Sequence, residues 1–84
     1  MQVLIIIFAS ISIFIIMNSF QIKGEYIHLN QLLKVLGWVN DGAMANDVID
    51  NELVKVNGNI ETRRRNKIVS GMTVSFNGNT VTCS

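Results

Sequence analysis

The sequence predicts an α+β fold, a hairpin of two short helices followed by small antiparallel strands, and three observations predict it. Leu29, Leu32, Leu33 and Leu36 recur at the i, i+3, i+4, i+7 spacing of one buried helical face. After Glu52 the apolar period changes to two, with Val54 and Val56 on one side and Lys55 on the other. Two Asn-Gly pairs, Asn57-Gly58 and Asn77-Gly78, each supply the positive φ of a tight hairpin turn.

The first element along the chain is the hardest to place. Val3 to Met17 is apolar except for Ser10 and Ser12 and carries no charge. As a helix it would span about 22 Å, short of the roughly 30 Å hydrocarbon core of a bilayer. A signal peptide calls for cations before the apolar run and a small-x-small cleavage site after it. Here only Met1 and Gln2 precede the run and Asn18-Ser19-Phe20 follows it. Residues 1–16 are therefore expected to be an apolar extension from a mis-called start, with Met17 as the true beginning; a membrane anchor or uncleaved signal, or a buried element of the fold, are the alternatives. Residues 17–24 read as a linker and 25–84 as the domain.

The first helix carries the leucine face, with Asn30 as a candidate N-cap. Gly37 ends it in the left-handed conformation of a C-cap, and Trp38 folds back as the accompanying apolar contact, which makes it a core residue. Asp41 is the expected N-cap of a second helix over about Gly42 to Asp50. Ala45, Val48 and Ile49 face inward there, and Asp47, Asp50 and Asn46 face solvent. Val54–Val56 opens the first β-hairpin, which Ile60 joins on the valine face if the loop has three residues. Lys67 to Val69 adds a short strand, Ser70-Gly71 a turn, and Thr73–Phe76 with Thr80–Thr82 a second hairpin.

At 84 residues the chain has room for one domain, and a domain this small buries only about 60% of its unfolded surface. A deep catalytic cleft is not expected. The net charge of +1 conceals an asymmetry, because Asp41, Asp47, Asp50 and Glu52 precede the basic run Arg63, Arg64, Arg65 and Lys67. Cations held beside a hairpin converge as those of a disordered tail do not, and so suit a row of phosphates, although such a run is often only a solvated loop. Cys83 is the sole cysteine, so no intrachain disulfide or thiolate cage is possible, which fits a reducing cytosol.

These residues together carry a resemblance. Leu29-Asn30-Gln31-Leu32-Leu33-Lys34, Gly37, Gly42-Ala43, Val54-Lys55-Val56-Asn57-Gly58, Glu61-Thr62-Arg63-Arg64, Lys67, Gly71 and Thr73-Val74-Ser75-Phe76 occur in one order. Over about Glu25 to Val81 the chain resembles the S-four-like RNA-binding domain, and within it the small stand-alone bacterial members. The resemblance implies an αL motif, a two-helix hairpin packed on a small bent antiparallel sheet, with RNA bound across the helix hairpin and the adjoining strand loops. It also implies a start near Met17. Relatives often carry a cation in the first turns of the second helix, where this chain has Asn46 beside Asp47. The binding charge is then expected from Arg63, Arg64, Arg65, Lys67, Lys55 and Lys34. Relatives also tend to have glycine before the first strand of the hairpin, where this chain has Glu52; either Glu52 is strained or Asn51 takes over the turn.

No catalytic constellation competes. His28 is the sole histidine and lies far in sequence from Cys83; it reads as a surface residue. Asp47 and Asp50 share a helix face without a third ligand, and no phosphate-loop glycine pattern occurs. Tyr26, Trp38 and Phe76 do not alternate with cations, so base stacking is weakly supported and recognition of folded RNA by shape fits better. The expected protein is a monomeric, non-enzymatic, cytoplasmic binder of structured RNA, with ribosomal RNA a candidate and no cofactor. The alternative is an inner-membrane-anchored interaction module whose basic run faces lipid or protein.

Overall fold

The computed structural model describes residues 19–84. The expectations for residues 1–16 and for a start at Met17 lie outside the described residues. Among the described residues seven strands and two helices follow in the order β1 (Ser19–Phe20), β2 (Ile27–His28), α1 (Leu29–Val35), α2 (Gly42–Asp50), β3 (Val54–Val56), β4 (Asn59–Ile60), β5 (Lys67–Ile68), β6 (Thr73–Phe76) and β7 (Asn79–Cys83). Five strands form one sheet in the order β1-β7-β6-β3-β4, and β2 and β5 form a separate two-stranded ribbon. The helix hairpin on a small sheet is the expected α+β architecture. The sheet is mixed, however, not purely antiparallel. β1 runs parallel to β7, pairing Ser19 with Thr82 and Phe20 with Cys83, so the stretch expected as a linker contributes an edge strand.

One core joins the two layers. Leu29, Leu32 and Leu33 from α1 and Ala45, Val48 and Ile49 from α2 are buried together with Val54, Val56, Ile68, Val74, Val81 and Cys83 from the strands. Alternation along β3 buries Val54 and Val56 and exposes Lys55. Trp38 packs against this cluster as expected. Cys83 is the inward residue near the end of β7, and burial pushes its thiol above the ordinary range.

Local chemistry fixes the element ends. The Asp41 carboxylate accepts from Met44 N–H at 2.8 Å, which makes it the N-cap of α2. α1 closes with Gly37 N–H donating to Lys34 and Trp38 N–H donating to Leu33, a Schellman motif whose C′ residue needs the positive φ (74°) that Gly37 supplies. The same motif ends α2, with Glu52 N–H donating to Ile49 and Leu53 N–H to Val48. There the C′ residue is Glu52 at φ 63°, so Asn51 does not take over the turn. Asn57 (φ 52°) and Gly58 (φ 83°) give a two-residue hairpin turn.

Three further expectations need correction. Asn30 does not cap α1: the N-cap is His28, with no side-chain bond. The Asn30 amide instead donates to Asn46 Oδ1 at 3.2 Å, across the helix hairpin. Asn46 is accordingly half-buried rather than solvent-facing. With a two-residue loop, Ile60 pairs with Lys55 and shares its outward face, leaving it 54% exposed.

Candidate nucleic-acid interface

The basic loop between β4 and β5 is built around one carboxylate. Glu61 Oε2 accepts from Arg63 N–H at 2.9 Å and Arg63 Nε at 3.0 Å, while Oε1 accepts from Arg63 Nη2 at 3.0 Å and Asn66 Nδ2 at 3.1 Å. The side-chain bond from Arg63 is the main cause that holds the Glu61 carboxyl below the ordinary range, and burial opposes it. Asn66 N–H closes a turn onto the Arg63 carbonyl at 3.1 Å. The loop therefore winds tightly over residues 61–66.

The loop backbone also completes α1. The first N–H groups of a helix have no partner inside it, and His28 provides no side-chain cap. Leu29 N–H donates to the Asn66 carbonyl at 2.9 Å and Asn30 N–H to the Arg64 carbonyl at 3.0 Å. Fixing those carbonyls on the helix N-terminus fixes where the intervening side chains emerge. Arg64 reaches back to α2, its Nε donating to Asp50 Oδ1 at 2.9 Å and its Nη2 pairing with Oδ2. That contact offsets an unfavourable carboxylate at the negative end of the α2 dipole. The same side-chain bond holds the Asp50 carboxyl below its ordinary range and Arg64 above its own.

The four cations of the run are thus not equivalent. Arg63 and Arg64 are each paired with a carboxylate, whereas Arg65 and Lys67 have no ion pair among the described residues. Arg63, Arg65, Asn66 and Lys67 line one open depression of about 400 Å³. The other two expected residues lie apart from it. Lys34 sits in the last turn of α1, about 8 Å along the helix axis from the end the loop caps. Lys55 lines a different hollow on the outer face of the sheet, with Ser75, Phe76 and Thr80.

Sequence reasoning missed the two carboxylates and the aromatic neighbour of the loop. Lys67 Nζ lies 4.9 Å from the Tyr26 ring centroid, and Tyr26 and His28 stand 5.3 Å apart with rings tilted by 45°. Glu61 was legible in principle, two residues before Arg63. Asp50 lies 14 residues from Arg64 and Tyr26 is farther still from Lys67, so only the fold brings them together.

The model of the S4 domain matches residues 20–83. This chain belongs to the S4 domain family. Within the S4 domain family it is 49% identical over 59 residues to the Escherichia coli (strain K12) protein named "Putative RNA-binding protein YbcJ", covering 70% of this chain and 84% of that protein. The Shigella flexneri protein "Uncharacterized protein YbcJ" matches over the same extent, at 49% identity over 59 residues. The solution structure of YbcJ from E. coli, described as revealing an αL motif involved in RNA binding, superposes with a TM-score of 0.62 at 46% identity, covering 80% of this chain and 86% of that one. The S-four-like resemblance and the αL architecture it implies are therefore borne out. Among the described residues no helix is long and apolar enough to cross a membrane.

Proposed function

We propose that this S4 domain protein is a non-catalytic, cytoplasmic, monomeric binder of structured RNA, with the β4–β5 loop as the contact surface. The observation that carries the reading is the rigid basic loop. Its backbone is bonded to the N-terminus of α1 and its turn is wound on Glu61, while Arg65 and Lys67 project from it with no carboxylate partner among the described residues. Preorganised cations bind phosphate with little ordering cost. The names of the E. coli relative and of its structure agree with this class of ligand. Arg65 and Lys67 are assigned the leading phosphate contacts, Arg63 and Arg64 a second rank because each already faces a carboxylate, and Lys55 and Lys34 peripheral contacts. Ribosomal RNA is the candidate target on the family resemblance.

Fluorescence anisotropy with a labelled ribosomal RNA hairpin tests the reading. The wild-type chain binds with an affinity that falls steeply with salt, and replacing Arg63, Arg64 and Arg65 together by alanine flattens the dependence by roughly 0.7–0.9 for each phosphate no longer neutralised. An unchanged slope would reduce the run to a solvated loop.

A further inference from the structure

The β2–β5 ribbon separates two kinds of side chain. Its register pairs Ile27 with Ile68 and His28 with Lys67. Cross-strand partners share a face, as do residues two apart along an extended strand. Ile68 is fully buried and Ile27 packs against the core, so the other face carries His28 and Lys67, with Tyr26 two residues ahead of His28. The ring and cation geometry agrees, with Lys67 Nζ over the Tyr26 ring at 4.9 Å and His28 at 5.3 Å. Tyr26 remains 40% exposed.

Tyr26 lines one hollow and touches a cation that lines another. The cation's is the basic depression lined by Arg65 and Lys67. The other, of about 510 Å³, is lined by Phe20, Ile27 and Val35 as apolar wall, by Tyr26 as aromatic wall, and by Gln31 and Lys23. Lys67 of the first lies over the ring of Tyr26 of the second. An aromatic face, an apolar wall and an amide beside two cations match the chemistry of a nucleotide: a π-face to stack, a polar base edge, and a phosphate one sugar away. A paired base offers no free face to such a hollow.

We infer that the Tyr26 hollow is a subsite for one unpaired RNA base, stacked on Tyr26 with its edge toward Gln31 and its phosphate held by Arg65 and Lys67. The inference rests on the RNA-binding reading above and refines it: the preferred ligand carries an unpaired nucleotide next to a helical segment.

The test uses the full chain and two RNAs of equal length, a hairpin with a single unpaired 2-aminopurine and a fully paired duplex. The proteins are wild type, Tyr26→Leu, Tyr26→Phe and Arg65→Ala, with circular dichroism to verify the fold of each. Wild type is expected to quench the 2-aminopurine fluorescence and to prefer the hairpin by roughly 5- to 150-fold, the range spanned by base stacking on an aromatic ring. Tyr26→Leu keeps apolar bulk but loses both the quenching and the preference, Tyr26→Phe keeps both, and Arg65→Ala weakens binding of both RNAs. If wild type binds the two RNAs equally without quenching, or if Tyr26→Leu retains the preference, the base subsite is overturned, while the loss caused by Arg65→Ala still upholds phosphate binding. If wild type binds neither RNA, the RNA-binding reading falls and the subsite with it.

Discussion

Replacing Asp50 by asparagine asks whether the basic run acts as four equal cations or as two free and two held ones. In the structure Asp50 engages Arg64 through both carboxylate oxygens, and Glu61 engages Arg63 in the same forked way. The forked bond leaves other N–H donors of each arginine free, but the carboxylate beside it repels a phosphate that approaches them. Arg65 and Lys67 carry no such penalty. Two effective phosphate contacts predict a salt slope of about 1.4–1.8, and a third raises it to about 2.1–2.7. Asp50→Asn keeps the shape of the side chain and removes the competing charge, so the slope is expected to steepen by about 0.7–0.9, equivalent to about threefold greater sensitivity between about 50 and 200 mM salt. Anisotropy titrations over that range measure it. A double-mutant cycle sharpens the assignment: Arg64→Ala changes little in the wild-type background and removes a full phosphate interaction in the Asp50→Asn background. Identical slopes for wild type and Asp50→Asn, or equal losses for the separate alanine variants of Arg63, Arg64 and Arg65, would refute the division.

Three further outcomes follow from the fold. Glu52→Gly relieves a non-glycine residue held at φ 63° and is expected to stabilise the protein by about 1 kcal/mol, read as a higher urea midpoint with an unchanged m-value. Asn46→Lys breaks the amide bond to Asn30 and is expected to destabilise by about 1 kcal/mol; an unchanged midpoint would mean that the helix hairpin is not latched there. Both Asp50 and Glu61 are held below their ordinary values, chiefly by side-chain bonds from Arg64 and Arg63. Their contribution is therefore complete above the unfolded carboxylate range near about pH 4 and is lost as pH falls through the lower folded values. Thermal melts across pH 2–6, approximate limits that bracket this range, are expected to fall less steeply on the acid side for the Asp50→Asn, Glu61→Gln double variant than for wild type.

Much of the fold was legible because it rests on local rules. The leucine spacing of α1, the Asp41 cap, the Gly37 terminus and both Asn-Gly turns are each decided by residues within a few positions of one another. What sequence reasoning misplaced has three different causes, of which the first is a partner far along the chain. Asn30 has the chemistry of an N-cap, yet the α1 N-terminus is already satisfied by carbonyls from residues 64 and 66, which frees the Asn30 amide for Asn46. Ile60 was a matter of one residue of loop length, and a shift of one in a strand reverses every face. The edge strand β1 is two residues long, below the length at which a periodic pattern can be read. In the candidate site the cations were plain in the sequence, but which of them are neutralised was not, because Asp50 and Arg64 meet only once the intervening β3–β4 hairpin has folded.

That arrangement ties the site to the stability of the fold in an asymmetric way. The backbone of the loop is needed by α1, whose seven residues are too few to be stable without satisfied ends and tertiary packing. Leu29, the first residue of that helix, is fully buried, so releasing the loop would loosen the core as well as the cations. The side chains at Arg65 and Lys67 are exposed and bear none of those bonds. Substitutions at the two positions are therefore expected to leave the helix cap in place and to report on ligand binding alone. An insertion between Arg63 and Asn66 would instead move the capping carbonyls and disturb fold and site together. The cations of the run thus sit on a loop whose main chain caps α1, and this keeps them in position before any ligand arrives.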